Sequence, residues 1–382
     1  MHIAIDARMY GTAQRGIGRY LMKLIEALEQ ISPSPQPSPT EGEGEIRYTI
    51  FLRRANFDEY QPKNPRFHKA LWNAQWYGIR EQLSTYYLLR TTASLIHFPH
   101  WNVPFFFNRP FVVTIHDLEL FSSNRTRESS TRGRITYWLK FQAFKLIFSH
   151  AVLAARAIIV PSNFVKEQLL DKYPQVRKKV QVIYEAATLV NSSQTTVHSK
   201  SNQTVNREPM TDDFVLYIGA AYPHKNLARL LEAWKIVRAQ LPEYKLVLVG
   251  REDWFWKKLK STSYVLHTTS SIVFYGSATD SELAALYKNA ALLVQPSLEE
   301  GFSLPPLEAL AFGTPVAVSD IPVHREILGD AAAYFDPLNP DYMAKTILNA
   351  LRNPVKSPLP RAYSWQNNAR QTLHLYEQAS LV

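Results

Sequence analysis

The 382-residue sequence contains no cysteine. Disulfides, thiolate metal sites and a cysteine nucleophile are therefore excluded. No apolar run reaches the roughly 20 residues that a spanning helix needs. The opening MHIAIDARMYG meets charge at Asp6 and Arg8, short of the apolar core of a signal peptide. The expected compartment is the cytoplasm. A complete glycine fingerprint for a dinucleotide is also lacking, because Gly16 and Gly18 give Gly-x-Gly without the third glycine. No Asp-x-Asp metal motif stands at a strand end.

What is present describes an ordinary globular chain. Its hydrophobic share is 46% and its charged share 20%, and its length suits two domains, each with its own core. The net charge of +10 lies in one half. Residues 1–190 hold 25 Lys+Arg against 15 Asp+Glu, whereas residues 191–382 hold 18 of each. An anionic partner for the first half fits this asymmetry: nucleic acid, an anionic membrane surface, or simply a basic face that aids solubility.

The order of segments is α/β. HIAID reads as a buried strand, ARMYGTAQRGIGRY as a glycine-bearing turn, and LMKLIEALEQI as an amphipathic helix. That is the opening unit of a doubly wound sheet. Gly16 and Gly18 would let a ligand approach the backbone of that turn. Residues Ser32–Glu45 are low in complexity and expected to form a mobile surface loop. IRYTIFL, ASLIHFPH and FVVTIHD read as further strands, with His116 and Asp117 at the carboxyl end of the last. Ligands of open α/β sheets bind beyond such ends, which makes His116 a candidate for chemistry. ITYWLKFQAFKLIF, basic and aromatic, reads as a helix covering a sheet, although such a helix can also lie on an anionic membrane. AIIVPSNFVKEQLLDKY is strand, Ser162 cap and helix. A polar stretch over 189–212 reads as an interdomain linker.

The second half restarts the pattern with strands at FVLYIGA, YKLVLVG, SIVFYGS and ALLVQ and helices between them. Gly219, Gly250, Gly276 and Ser297 stand at the carboxyl ends. Lys225 precedes a helix and could meet a phosphate as a point charge. The stretch VQPSLEEGFSLPPLEALAFGTPVAV then runs from a strand through a loop into a short helix opening at Pro305 and Pro306. Proline is tolerated there, since first-turn N–H groups lack intrahelical partners. The amides from Gly301 to Leu304 and the helix dipole make an anion site. Glu300 and Glu308 beside it suit a ligand with phosphate and several hydroxyls, such as a nucleotide sugar.

EGFSLPPLE, which carries Glu300 and Glu308, resembles the glutamate-x-seven-glutamate signature of family 4 retaining glycosyltransferases. YIGAAYPHKNLARLLEAW, VLVGRED and VFYGSATDSELAALYKNA are similar to that family's donor-domain segments, in the same order. IGRYLMKLIEAL, VVTIHDLELF, IIVPSNFVKEQLL and VIYEAA resemble segments of its first domain. HFPHWNVP, TIHDLELF and VIYEAA look most like bacterial mannosyltransferases that use GDP-mannose in surface-polysaccharide synthesis.

The resemblance implies a GT-B architecture, two Rossmann-like doubly wound domains facing each other across a cleft. Residues 1–188 would form the acceptor-side domain, rejoined by a closing helix over 363–382. Residues 189–212 would link it to the donor domain, 213–362. Glu300 would contact donor-sugar hydroxyls. Gly301, Phe302, Ser303 and Leu304 would hold sugar and diphosphate through backbone amides, and Glu308 would bind the ribose. Lys225 would neutralise the leaving diphosphate, and His116 would sit near the reacting sugar. Gly16 and Gly18 would border diphosphate or acceptor. Gly219, Arg251 and Gly276 would flank base or phosphates. One departure stands out: the family's frequent arginine after the glycine of YIG is Ala220 here.

The implied activity is retaining, metal-independent hexosyl transfer without a cofactor, from GDP-mannose to a saccharide or lipid-linked acceptor, with peripheral contact to an anionic membrane. A UDP-sugar donor is the alternative within the fold. A nicotinamide-dependent oxidoreductase is the alternative outside it, though IRYTIFL ends in Arg53-Arg54 rather than an acidic residue. No nucleic-acid motif is present, and no nucleic-acid partner is expected.

Overall fold

The computed structural model describes residues 1–11, 15–32, 46–76, 81–82, 92–121, 134–188, 213–261, 271–355, 357–359 and 363–381. The low-complexity run over 33–45 and the expected linker over 189–212 lie outside them. The chain divides into two compact units, one ending at Ala186 and taking back Tyr363–Val382, the other beginning at Ala187.

The first unit is built on seven parallel strands: β1 (His2–Asp6), β2 (Arg47–Leu52), β3 (Phe67–Leu71), β4 (Leu95–Phe98), β5 (Phe111–Thr114), β6 (Ala157–Val160) and β7 (Val180–Val182). Their order across the sheet is β3-β2-β1-β4-β5-β6-β7. Strands β4, β5 and β6 are buried throughout and apolar but for His97 and Thr114, as both-face coverage of a parallel sheet requires. The two-residue period sorts their side chains into two cores. Phe111 and Val113 point to one, with Ile158 and Val160. Val112 points to the other, with Ala157 and Ile159. Helices α2 (Arg134–Ala154) and α3 (Asn163–Lys172) cover the first face through Phe148, Val152 and Leu169. Helix α1 (Arg15–Ile31) and the C-terminal helix Trp365–Leu381 cover the second through Leu21, Leu24, Leu28, Ala369 and Tyr376. Ser162 caps α3, its Oγ accepting from the Val165 N–H at 3.2 Å.

The second unit repeats the plan with six parallel strands: β8 (Phe214–Ile218), β9 (Lys245–Val249), β10 (Ile272–Gly276), β11 (Leu292–Gln295), β12 (Val316–Ser319) and β13 (Ala333–Phe335). The order is β10-β9-β8-β11-β12-β13. Direction of travel reverses between β8 and β11, the switch point at which doubly wound sheets take ligands. Between the strands lie α4 (Leu227–Gln240), α5 (Trp254–Lys260), α6 (Asp280–Asn289), α7 (Leu304–Ala311), α8 (Pro322–Leu328) and α9 (Pro340–Arg352). Trp234 and Val237 of α4 and Met343 and Ile347 of α9 share one core with the sheet. Thr279 and Glu282 close a reciprocal capping box on α6, satisfying two donors that the helix start would otherwise orphan.

Two details differ from the sequence reading. Gly16 and Gly18 lie inside the first turn of α1, which begins at Arg15, rather than in the turn before it. Strands β3 and β13 were not expected. Both are edge strands, and FHKAL of β3 alternates irregularly because only one of its sides is fully paired.

Candidate functional site

The register of β8 and β11 aligns Leu216 with Leu293, so Gln295 comes level with Ile218. The loops that leave these two strands therefore emerge side by side. Two bonds lock them together: the Leu298 N–H donates to the His224 carbonyl at 2.7 Å, and Asn226 Nδ2 donates to the Pro296 carbonyl at 3.0 Å. The same amide reaches the Pro337 carbonyl at 2.7 Å. Asn226 is left-handed, with φ 60°, a conformation asparagine tolerates better than most residues.

This frame brings Lys225 to Glu300. Lys225 Nζ donates to Glu300 Oε2 at 2.8 Å, with the two side chains 18% and 10% exposed. The other carboxylate oxygen accepts from Ser297 Oγ at 2.7 Å and from Gln295 Nε2 at 3.0 Å. Burial alone would push the Glu300 carboxyl up. The Lys225 charge and hydrogen bond, with the Ser297 hydroxyl, outweigh it and hold the group at about 2. Glu300 is thus a carboxylate across the physiological range.

Beyond Glu300 the chain passes through Ser303, at φ 73° and ψ 72°, into α7. Pro305 and Pro306 carry no N–H, so Ser303 and Leu304 supply the nearest backbone donors of the helix tip. His324, fully buried on α8, supports this corner. Its Nδ1–H donates to the Ser319 carbonyl at 2.8 Å, and its Nε2 faces Ser303 Oγ at 3.2 Å. Burial lowers its pKa, so the imidazole is neutral and Nε2 accepts the Ser303 hydroxyl proton. Glu308 is also buried and accepts from the Tyr287 hydroxyl at 2.6 Å. Tyr287 in turn stacks on Phe312, centroids 5.7 Å apart.

Gly219, Arg251 and Gly276 stand at the carboxyl ends of β8, β9 and β10. The Gly219 N–H donates to the Val249 carbonyl and the Gly250 N–H to the Gly276 carbonyl, both at 3.0 Å. A Cβ on Gly250 would stand 2.1 Å from the Gly219 carbonyl oxygen, so only glycine permits this approach. Arg251 is exposed.

Gly16, Gly18 and His116 belong to the first unit. His116 donates Nδ1–H to Glu185 Oε1 at 3.0 Å and Nε2–H to the Pro99 carbonyl at 2.9 Å. Both partners only accept, which makes the ring an imidazolium. Burial pulls its pKa down, yet the hydrogen bond and charge of Glu185 with the Pro99 carbonyl raise it overall. Tyr20 packs edge-on at 4.8 Å. His97, by contrast, is pushed down to about 3 by burial and bridges Tyr376 and Thr114.

Sequence reasoning named Lys225, Glu300 and Glu308 but not Gln295, His324, Tyr287, Asn226 or Glu185. An amide closing the apolar run LLVQ was the one local signal available for Gln295. The others act through partners 20 or more residues away. Among the described residues no group of three or more His, Asp or Glu is arranged to hold a metal ion, and no helix is long and apolar enough to cross a membrane.

Residues 15–187 match the family model described as Glycosyltransferase Family 4, and residues 199–372 match that of Glycosyl transferases group 1. The chain is a glycosyltransferase. It is 28% identical to the O-antigen chain mannosyltransferase RfbU of Salmonella typhimurium, across 95% of this chain and 93% of that one. It is 25% identical to O-antigen chain mannosyltransferase B of Escherichia coli, across 95% and 96%. Sucrose-phosphate synthase from Thermosynechococcus elongatus shares the fold with a TM-score of 0.67 at 20% identity, across 100% of this chain and 96% of that one. The glycosyltransferase therefore has the GT-B fold of two Rossmann-like parallel-sheet domains.

Proposed function

We propose that this glycosyltransferase moves a mannosyl group from GDP-mannose to a saccharide or lipid-linked acceptor of a surface polysaccharide, with retention and without a metal. The observation that carries the reading is the partly buried Lys225–Glu300 pair at the β8/β11 switch point. A cation held beside a helix tip suits a diphosphate, and a carboxylate held ionised suits sugar hydroxyls, which only donate to it. The mannosyl donor rests on the relatives, both described as mannosyltransferases.

In this reading Lys225 turns from Glu300 toward the diphosphate and meets the charge that grows as the bond from the anomeric carbon to phosphate breaks. The acceptor oxygen bonds to that carbon on the same face, and its proton passes to the departing phosphate oxygen. Glu300 orients the sugar rather than attacking it. Glu308 would take the ribose hydroxyls, with Tyr287 fixing its carboxylate. Gly219, Arg251 and Gly276 would flank the base or phosphates. His116, as a cation with both N–H groups engaged, would serve by charge and not as a base. With a nucleotide-sugar substrate and an acceptor at an anionic membrane, the enzyme would work at the cytoplasmic face.

A thermal-shift screen tests the donor. GDP-mannose should raise Tm more than UDP-glucose, with NAD and an oligonucleotide silent, and Lys225→Ala should abolish the shift. A larger shift with UDP-glucose would move the donor to UDP-sugars; a shift with NAD alone would overturn the reading.

A further inference from the structure

Helix α2 buries one face and leaves on its opposite face a largely apolar stripe, broken by Gln142, that no described residue covers. Phe144, Phe148 and Val152 pack into the first unit's core. Ile135, Leu139, Leu146 and Leu153 step by four, seven and seven residues, which returns them to one stripe of a 3.6-residue helix. Trp138 lies beside them. These five side chains are between 47% and 78% exposed. The stripe continues onto the loop after β4, where Phe105 packs against His150 of α2 at 5.3 Å and neighbouring Phe106 is 72% exposed. A helix apolar on both faces is normally covered on both, and contiguous exposed apolar surface of this kind marks a contact site.

Charge indicates the occupant. The 21 residues of α2 include no Asp or Glu, while Lys140 and Lys145 are exposed along the flanks of the stripe. The half of the chain carrying the stripe holds the whole +10 excess. Apolar side chains bordered by lysines, with tryptophan and phenylalanine among them, match the layering of an anionic bilayer surface: acyl chains below, phosphates at the level of the ammonium groups. A second copy of this chain fits poorly. Two-fold pairing of the face would gather lysines from both copies with no acidic residue on either helix to answer them.

We propose that α2, with Phe105 and Phe106, is the surface by which this chain lies on an anionic bilayer, the stripe entering the acyl boundary and Lys140 and Lys145 meeting lipid phosphates. The inference deepens the proposed action on a membrane-borne acceptor but stands on the stripe alone.

The test is co-sedimentation of the full chain with phosphatidylglycerol–phosphatidylcholine vesicles and with phosphatidylcholine vesicles. The wild type should sediment with the first and far less with the second. The triple variant Ile135→Ser, Leu139→Ser, Leu146→Ser should lose more than ~10-fold in partition at unchanged Tm, because these side chains are exposed. Leu338→Ser, exposed but on the other unit, should bind as the wild type does. Wild type that stays in the supernatant, or a triple variant that sediments equally, overturns the proposal. So does a wild-type dimer that the triple variant converts to monomer without any vesicle binding. The GDP-mannose shift in Tm, read on the same preparations, separates the two readings: its loss with vesicle binding intact fails the donor assignment and leaves the surface standing.

Discussion

Replacing Glu300 by Gln removes one charge and little volume, and the structure sets the size of the effect. The carboxylate accepts from Lys225, Ser297 and Gln295 and is held at about 2 against an ordinary 4.5. A difference of that size, at 1.36 kcal/mol per unit, is roughly 3 kcal/mol of stability at neutral pH. The folded-state value is depressed, so this stability is present above pH 4.5 and is lost as the pH falls toward 2. Glutamine keeps an acceptor for Ser297 but leaves Lys225 facing a neutral amide.

Urea unfolding of wild type and Glu300→Gln, followed by tryptophan fluorescence across a pH series, reads this out. The variant should be less stable at neutral pH, and the gap should close below pH 4.5. Donor turnover should fall by more than ~100-fold, since a charge-assisted hydrogen bond to a sugar hydroxyl and the orientation it gives are both lost. A gap that ignores pH would refute the electrostatic account of the pair. Turnover that survives would refute the placement of the sugar at Glu300.

Two further outcomes follow from the same geometry. His116 has a folded-state pKa above its ordinary 6.5, so its stabilisation is full below 6.5 and is lost as pH rises through the raised value; Glu185→Gln should remove that pH dependence from Tm, and a constant offset at all pH values would count against the imidazolium. Asn226→Ala should cost about 2–4 kcal/mol in urea unfolding, through two lost bonds to carbonyls and a left-handed backbone alanine resists. Asn226→Gly should recover the backbone part only, and equal losses would place the whole effect in the hydrogen bonds.

The legible parts of the fold were those written in local pattern. Leu227–Gln240 and Asp280–Asn289 could be read from their apolar spacing alone, and the second also carries a capping box. β3 escaped because an edge strand needs only half the burial of a central one, leaving His68 and Lys69 in place, and β13 because three residues, AYF, are too few to show a period. The start of α2 followed from its apolar spacing, but its last six residues, to Ala154, and the face that would be covered did not. An all-round apolar helix carries no directional signal until the sheet beneath it is known. In the site, Lys225 and Glu300 stood out by residue type beside a helix start. His324 did not, because its only sequence sign is one histidine in the mixed run IPVHREIL, 21 residues past the Ser303 it supports.

The energetics of the pair argue for a ligand. Taking two charges from water costs several kcal/mol each, and well-packed apolar residues in place of a buried pair are often as stable or more so. Stability alone therefore does not account for Lys225 and Glu300 at this depth. Three donors on one carboxylate and a strained, histidine-backed turn at Ser303 hold the groups still before anything binds. A diphosphate entering beside the α7 tip would compete for Lys225, while Glu300 would keep Ser297 and Gln295 and gain sugar hydroxyls in return. The pair would then work as a placeholder: Lys225 keeps Glu300 ionised and each holds the other in position, until a donor supplied the anion for one and the hydroxyls for the other.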